Sequence, residues 1–237
     1  MKVGISTPQF REEAEPAIET ARQAEALGLD GVFVFDHLWP LGRPDRPALH
    51  STTLLGALVA ETERVTLGTL VARVGLLPDA VLVHTLTTLA RMAGPERFIA
   101  GLGAGDSANR PENEAYGIPF APAADRLAGV IACARLLRAA GVTTWIGGLS
   151  PATRRAAAEA GADGWNGWGL APARWAEMAA ELPPTVEKTW AGQVGGDAHD
   201  LAEHLRAVAE AGATWAICAP IDGATVETVA EAAAARR

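Results

Sequence analysis

The sequence predicts an α/β protein with the (β/α)8 TIM barrel fold, formed as a single domain by residues 1–237. Eight short strand-like runs alternate with eight helix-like runs, which is the element count of this barrel. A similar junction also recurs four times, with an alanine-rich helix end, a glycine and then a strand, at Gly28, Gly141, Gly161 and Gly212. Glycine at this position is typical of a left-handed helix end that turns back into a sheet. An open, doubly wound sheet is the alternative that the pattern leaves.

The first half of the chain supplies four strands and four helices. Short apolar runs predict strands over 2–6, 31–36, 65–71 and 97–102. The segments after these strands predict helices over 12–27, 51–62, 79–93 and 122–140. Two long irregular segments, 37–50 and 105–123, each follow a strand. In a barrel both would lie on the catalytic face, where long loops usually cover a ligand.

The second half repeats the same alternation. Strands are predicted over 142–147, 163–168, 186–191 and 214–219, and helices over 151–160, 172–181, 197–211 and 224–235. The strands over 163–168 and 186–191 are the weaker predictions, because glycine and charge interrupt them. Trp165 and Trp168, within the first of these two strands, are interpreted as pocket walls, with strand core as the alternative.

Composition and charge exclude several classes of function. The 237 residues are 49% hydrophobic, enough to bury a large core, and the net charge is -8. Nucleic acids and anionic membranes need clustered Lys and Arg, so neither is an expected partner. No apolar run approaches the roughly 18 residues of a membrane span. Any anionic ligand must therefore be bound at one local site.

Cysteine and histidine usage indicates the compartment and argues against a metal. Cys133 and Cys218 form no CxxC pair, which favours a reduced, cytoplasmic protein with two inert core thiols. The histidines that could assist His37 in binding a metal are scattered: His50, His84, His199 and His204. No metal site is predicted, because none of them stands at ligand spacing.

The segment FIAGLGAGDSAN, from Phe98 to Asn109, is the first candidate site. An apolar strand runs into three alternating glycines, which remove side chains so that a flat ligand can approach the backbone. Asp106 and Asn109 then stand at the strand end, where barrels place their chemistry. The alternative is a plain glycine turn that leads to a solvated acid.

The segment FVFDHLWP, from Phe33 to Pro40, is the second candidate site. Its strand ends in Asp36, His37 and Trp39, which offer a carboxylate, an imidazole that titrates near neutral pH, and an aromatic wall. These groups could bind the edge of a heteroaromatic ring and move a proton. In the alternative, Asp36 caps the next turn while the histidine and the tryptophan only pack a loop.

The segment WIGGLSPATRR, from Trp145 to Arg155, is the third candidate site. Ser150 is predicted as the N-cap of a helix with proline at its first position and two arginines in its first turn. Unpaired amides at a helix start bind phosphate, and an arginine would assist them. The predicted phosphate-binding residues are Gly147, Gly148, Leu149 and Ser150. An ordinary capped helix after a glycine turn is the alternative.

These motifs in this order resemble the bacterial-luciferase-like oxidoreductases. The resemblance spans roughly residues 1–170 and is carried by FVFDHLW, TERVTLGTLV, PDAVLVHTLTTLARMAGPERFIAGLGAGD and WIGGLSPATRRAAAEAGADGWN. That family comprises (β/α)8 barrels that use reduced FMN or the deazaflavin coenzyme F-420. The Asp-His pair and the string GLGAGDSAN are more similar to the deazaflavin branch, although glutamate is the more familiar acid where this chain has Asp106.

The resemblance implies a role for each candidate residue. A non-proline cis peptide is expected at Leu70-Val71, beneath the cofactor ring, and the cofactor phosphate is expected at Gly147 to Ser150. Asp36 and Asn109 are expected to contact the cofactor. The catalytic candidates are His37 as the proton partner, Trp39 as a stabiliser of developing charge, and Asp106 as a second acid.

The expected function is hydride transfer between coenzyme F-420 and a small organic substrate. An FMN-dependent monooxygenase is the first alternative, and a non-catalytic flavin-binding protein is the second. A metal-free phosphosugar lyase or isomerase would need a buried lysine or glutamate, and Lys2 and Lys188 are poorly placed for it.

This chain departs from the resemblance in one place. Relatives carry a long segment before the fifth strand, whereas LLRAAGVTTWIGG passes directly from helix to strand here. The shortened rim would leave the pocket more open, or a partner subunit would complete it. A homodimer is expected, and the helix that begins near Asp125 is the candidate interface.

Overall fold

Parallel pairing closes the strands into a barrel with the helices outside it. The computed structural model describes residues 1–236. The strands are β1 (Lys2–Ser6), β2 (Gly31–Val34), β3 (Thr66–Thr69), β4 (Ala72–Arg73), β5 (Phe98–Gly103), β6 (Thr143–Gly147), β7 (Gly164–Trp168), β8 (Glu187–Val194) and β9 (Trp215–Pro220). Their order is β3-β2-β1-β9-β8-β7-β6-β5-β4, and a further pairing between β3 and β5 closes the ring. The predicted barrel is confirmed, and the open sheet is excluded.

The helices follow the predicted alternation with one addition. They are α1 (Glu15–Ala26), α2 (Ser51–Glu61), α3 (Asp79–Ala93), α4 (Arg110–Ala115), α5 (Ala123–Ala139), α6 (Pro151–Glu159), α7 (Pro172–Ala179), α8 (Ala198–Glu210) and α9 (Val226–Ala235). Helix α4 lies inside the segment predicted as irregular, and β8 runs three residues beyond its predicted end. Gly28, Gly141, Gly161 and Gly212 all have positive φ, so the predicted helix ends are confirmed.

The predicted third strand is interrupted. The strand predicted over 65–71 is divided into β3, which ends at Thr69, and β4, which begins at Ala72, and the Leu70-Val71 peptide between them is cis, as the family resemblance implied. Below the interruption β3 pairs with β5 through Leu67 and Gly68, and above it β4 pairs with β5 through Ala72 and Arg73. The two short strands therefore share one position in the barrel.

The glycines of β5 and β6 make room for this interruption. A Cβ on Gly103 would lie 2.5 Å from Val71 Cγ2, and one on Gly147 would lie 2.8 Å from Val71 Cγ1. A Cβ on Gly101 would lie 2.1 Å from the carbonyl oxygen of Thr69. These contacts correct the interpretation of the GxGxG run, because much of the space beside these glycines holds the side chain of Val71 and its neighbouring backbone.

Replacing Gly101 by alanine is expected to destabilise the protein by about 1–3 kcal/mol, because the new methyl group would overlap a backbone oxygen. Urea unfolding followed by circular dichroism measures the change. Gly56→Ala is the matched control, since Gly56 lies within α2 with no atom near its missing Cβ, and it should stabilise by about 0.5–1 kcal/mol. Equal stability of the two variants would contradict the packing described for Gly101.

The interior of the barrel is filled by aromatic rings at its lower end. Phe33, Trp145 and Trp215 are buried, with ring centroids 5.7 Å apart for Phe33 and Trp145 and 5.8 Å apart for Phe33 and Trp215. A separate, larger apolar core lies between the barrel and the helices. The lower end of the barrel interior is therefore filled with side chains, and a large cavity lies at the carboxyl ends of the strands.

Candidate active site

A cavity of about 1310 Å³ occupies the carboxyl end of the barrel. Most of the predicted site residues line it: Asp36, His37, Leu70, Val71, Asp106, Asn109, Gly147, Gly148, Leu149 and Ser150. The structure thus brings together residues from four segments that are distant in sequence. Trp39 is the exception, since it packs against Tyr116 with ring centroids 5.7 Å apart and is not part of the lining.

Asp36 joins the end of β2 to neighbouring elements. Its two carboxylate oxygens accept hydrogen bonds from Ser51 Oγ at 2.7 Å and from the backbone N–H of Arg73 at 2.6 Å. Burial raises the pKa of Asp36 despite these donors. Each oxygen therefore already has a protein donor, and the carboxylate fixes the residue after the cis bulge relative to β2 and α2.

His37 is held by a buried ion pair. Its Nδ1 lies 3.3 Å from Glu112 Oε2, and the same oxygen accepts a hydrogen bond from Arg73 Nη1 at 2.7 Å. The backbone N–H of Leu38 donates to the other oxygen, Glu112 Oε1. Glu112 is 1% exposed. With Nδ1 turned to Glu112, the second ring nitrogen, Nε2, is the one left to act on a ligand.

The charge state of Glu112 follows from these contacts. Burial would raise its pKa, but the hydrogen bonds from His37, Arg73 and the Leu38 amide outweigh burial and lower the pKa of Glu112 to about 2. A carboxylate that stays ionised favours a proton on His37 Nδ1. The imidazole would then present Nε2 as an acceptor, the form that a general base requires.

Neither member of this ion pair was predicted from the sequence. Arg73 follows the cis bulge, and Glu112 lies in α4, the helix that was not predicted. Gln9 was also missed: it is fully buried, donates to the Phe35 carbonyl at 2.8 Å and accepts from the Phe35 amide at 2.6 Å. The signal in the sequence was the position of Glu112 and Arg73, each a charged residue within a few positions of a candidate site residue.

Asp106 and Asn109 form a reciprocal cap at the rim. Asp106 Oδ1 accepts from the amide of Ala108 at 2.8 Å, and Asn109 Oδ1 accepts from the amide of Asp106 at 2.8 Å. Asp106 is exposed and Asn109 is buried. The cap orients both side chains at the cavity wall, with the Asn109 amide nitrogen left for a ligand.

The loop from Gly147 to Ser150 leads into a capped helix start, as predicted. Ser150 is the N-cap of α6 and accepts from the amide of Thr153 at 3.0 Å, while within residues 1–236 the amides of Leu149, Ser150 and Ala152 have no hydrogen-bond partner. Gly148 has φ 138°, and its carbonyl accepts from Trp165 Nε1 at 2.8 Å. The loop is therefore anchored to β7 from below.

Two predictions for this region are wrong. One of the two arginines in the first turn, Arg154 or Arg155, was expected to assist an anion, but neither lines the cavity, and the Arg154 guanidinium donates to Glu181 Oε2 at 2.6 Å and to the Leu149 carbonyl at 2.6 Å. Its role is to hold the loop in shape. Trp165 was interpreted as a pocket wall and is instead fully buried core, whereas Trp168 does line the cavity.

Neither a metal cluster nor a membrane span is found within residues 1–236. No group of three or more His, Cys, Asp or Glu side chains in that range could hold a metal ion. None of the helices in the same range combines the length and the apolar character that crossing a bilayer requires.

Cys133 and Cys218 are both buried as free thiols, and burial raises the pKa of Cys133 to about 11 and that of Cys218 to about 12.

The chain is similar in sequence to known proteins over part of its length. Over 119 residues the chain is 35% identical to an F420-dependent glucose-6-phosphate dehydrogenase from Kineococcus radiotolerans, covering 50% of this chain and 34% of the relative. A protein of the same name from Intrasporangium calvum is 31% identical over 139 residues, covering 58% of this chain and 41% of the relative. The matches thus span less than half of the length of these relatives.

Solved structures with low sequence identity share the fold. An F420-dependent secondary alcohol dehydrogenase in complex with an F420-acetone adduct superposes with a TM-score of 0.80 at 17% identity, covering 100% of both chains. The coenzyme F420 dependent tetrahydromethanopterin reductase from Methanopyrus kandleri gives a TM-score of 0.71 at 12% identity, covering 98% of this chain and 97% of that one.

A family model matches a longer part of the chain than these two sequence relatives do. The model of the luciferase-like monooxygenase family matches residues 1–191, which include the cis bulge, the His37 site and the capped start of α6. This chain belongs to the luciferase-like monooxygenase family.

Proposed function

We propose that this protein is an oxidoreductase that uses coenzyme F-420 to transfer a hydride to or from a small organic substrate. The observation that carries the proposal is the common cavity of His37, the Leu70-Val71 bulge and the capped start of α6. The names of the sequence relatives support F-420 over FMN.

The residues present fit such a cofactor. Val71 fills the space beside Gly103 and Gly147, and these three residues together line the cavity wall against which a ring system would lie. The phosphate would meet the amides that follow Gly148, and the Asn109 amide nitrogen would donate to the ring edge. When bound, coenzyme F-420 supplies a two-electron acceptor or donor of hydride.

His37 supplies the proton chemistry of the proposed reaction. In the oxidising direction, Nε2 accepts the hydroxyl proton of an alcohol as its carbon–hydrogen bond breaks and a carbonyl bond forms. Glu112 stabilises the imidazolium that results, since its carboxylate lies 3.3 Å from Nδ1. In the reducing direction the same nitrogen returns the proton to the carbonyl oxygen. Asp106, exposed at the rim, is proposed as a second acid.

Titration of the purified protein with F-420 and with FMN, followed by fluorescence, tests the proposal. We expect F-420 to bind with a dissociation constant below about 100 μM and more tightly than FMN. Tighter binding of FMN would instead support the alternative function, a monooxygenase that uses reduced flavin and oxygen. If neither compound binds below that concentration, the cofactor assignment is wrong.

Replacing Gly148 by alanine is expected to weaken F-420 binding about 10-fold, equivalent to about 1.4 kcal/mol. A Cβ there would lie 2.9 Å from Thr153 Cγ2, and φ is 138°, so the loop must shift away from the helix start. Gly141→Ala is the matched control, because Gly141 also has positive φ but lies at the other end of the barrel with open space beside it. Equal affinities in the two variants would contradict a role for this loop.

We also infer that the protein works in the cytoplasm as a homodimer. The helix that contains Asp125 presents Leu136 to solvent with 56% of its surface exposed, which supports an interface there. Light scattering after size-exclusion chromatography measures the mass. A mass of twice 24.6 kDa is expected, and a monomer at micromolar concentration would contradict the inference.

A further inference from the structure

An aromatic contact divides the mouth cavity into two halves. Phe35 follows β2 and Trp168 ends β7, and their rings meet edge to face with centroids 5.4 Å apart. In the closed strand order, three barrel positions separate β2 from β7 in each direction. One half therefore lies over the bulge, β5 and β6, and the other lies over β8, β9 and β1.

The half over the bulge, β5 and β6 is the one that suits the cofactor. It contains Val71, Gly103, Gly147 and the start of α6. Under the proposed function the ring and the phosphate of F-420 occupy this half. The remaining half, over β8, β9 and β1, is then available to the substrate.

The second half offers uncharged hydrogen-bonding groups. Ser6 pairs with Phe33 in register, and the Phe33 ring lies inside the barrel, so Ser6 also points inward. Ser6 is 6% exposed. Gln193 lies near the end of β8 and lines the same cavity. Among the residues that the structure describes, neither the Ser6 hydroxyl nor the Gln193 amide has a hydrogen-bond partner.

The cavity offers no free cation to a substrate phosphate. In the described range, Arg73 is the only lysine or arginine in its lining, and it is 4% exposed and paired with Glu112 at 2.7 Å. The start of α9 also faces the cavity, but Glu227 lies in its first turn and opposes an anion there. The start of α6 is the remaining anion site, and the cofactor would occupy it.

We propose that the half over β8, β9 and β1 binds an uncharged alcohol or carbonyl compound through Ser6 and Gln193, and excludes sugar phosphates. The apolar residues Pro8, Ala219 and Ile221, with the Phe35 and Trp168 rings, would contact its carbon skeleton. This inference rests on the proposed function, and it separates the chain from the substrate named for its sequence relatives.

Calorimetric titration of the F-420-loaded protein tests the inference. The probes are cyclohexanone and glucose 6-phosphate, and oxidation of cyclohexanol and glucose 6-phosphate is followed by loss of the F-420 absorption band. We expect cyclohexanone to bind and kcat/KM for cyclohexanol to exceed that for glucose 6-phosphate at least 100-fold. The inference would be overturned if glucose 6-phosphate bound more tightly than cyclohexanone or were oxidised faster than cyclohexanol. It would also be overturned if cyclohexanone did not bind and cyclohexanol were not oxidised. Failure to bind F-420 would instead overturn the proposed function.

Two variants place the substrate in this half. Ser6→Ala is expected to weaken cyclohexanone binding about 5- to 10-fold, and Gln193→Leu by a similar factor, because each removes one hydrogen bond. F-420 affinity should not change in either. Thr214→Val is the matched control, since it removes a hydroxyl at the lower end of the barrel that donates to the Lys188 carbonyl. Unchanged cyclohexanone affinity in both Ser6 and Gln193 variants would contradict the assignment.

Discussion

Replacement of His37 by asparagine is expected to lower kcat for F-420-linked hydride transfer by about 10²- to 10⁴-fold, the usual contribution of a positioned general base. Asparagine keeps a polar group near Glu112 but cannot accept a proton from an alcohol. Affinity for F-420 should change little, because the ring and the phosphate are bound by other residues. Steady-state kinetics and a fluorescence titration on the same preparation separate the two effects.

The control for this variant is His84→Asn. His84 is exposed on α3, outside the cavity lining, and its replacement should leave kcat within about 2-fold of the parent protein. A His37→Asn protein that keeps full activity while binding F-420 normally would show that another group moves the proton. Asp106 would then be the next residue to replace.

Replacement of Glu112 by glutamine is expected to destabilise the protein by about 3–5 kcal/mol, because it leaves the buried Arg73 guanidinium without its counter-ion. Urea unfolding at pH 7 measures the change. Glu114→Gln is the matched control on the same helix, since Glu114 is exposed and pairs with Arg110 at 3.6 Å. Exposed pairs contribute at most about 1 kcal/mol, so the control should remain close to the parent.

The same ion pair predicts a pH dependence of stability. The folded-state pKa of Glu112 is about 2, below the ordinary value of 4.5, so the folded state binds its proton less readily than the unfolded state. Its contribution of about 3 kcal/mol is therefore complete above pH 4.5 and is lost as pH falls toward 2. Asp36 changes the stability in the opposite direction: because burial raises its pKa, its contribution becomes more favourable as pH falls.

Comparison of the parent protein with Glu112→Gln isolates the contribution of Glu112, since Asp36 is present in both. The difference in unfolding free energy between them should shrink as pH falls from 4.5 toward 2. A difference that stays constant over this range would show that Glu112 is not held as a strongly stabilised carboxylate.

The barrel could be predicted because its signals are local. Each return from helix to strand is marked by a glycine such as Gly28 or Gly212 within a few residues of the elements that it joins. The capped start of α6 is equally local, since Ser150 and Thr153 are three residues apart. Closure of the sheet then followed from the number of units.

The support for His37 could not be predicted because its partners are distant in sequence. Glu112 lies 75 residues from His37 and 39 from Arg73, and it is part of a six-residue helix without an apolar period. The contact of Val71 with Gly103 and Gly147 likewise joins residues that are distant in sequence. Alternating glycines indicate a close approach but do not say whether a ligand or the protein's own chain makes it.

A crystal structure of the protein grown with F-420 is the most direct measurement of the central claim. We expect the deazaflavin ring to lie over the Leu70-Val71 bulge, its phosphate to contact the amides at the start of α6, and His37 Nε2 to face the space above the ring. Density for the ring over β8, β9 and β1, or for the phosphate away from Ser150, would contradict the account.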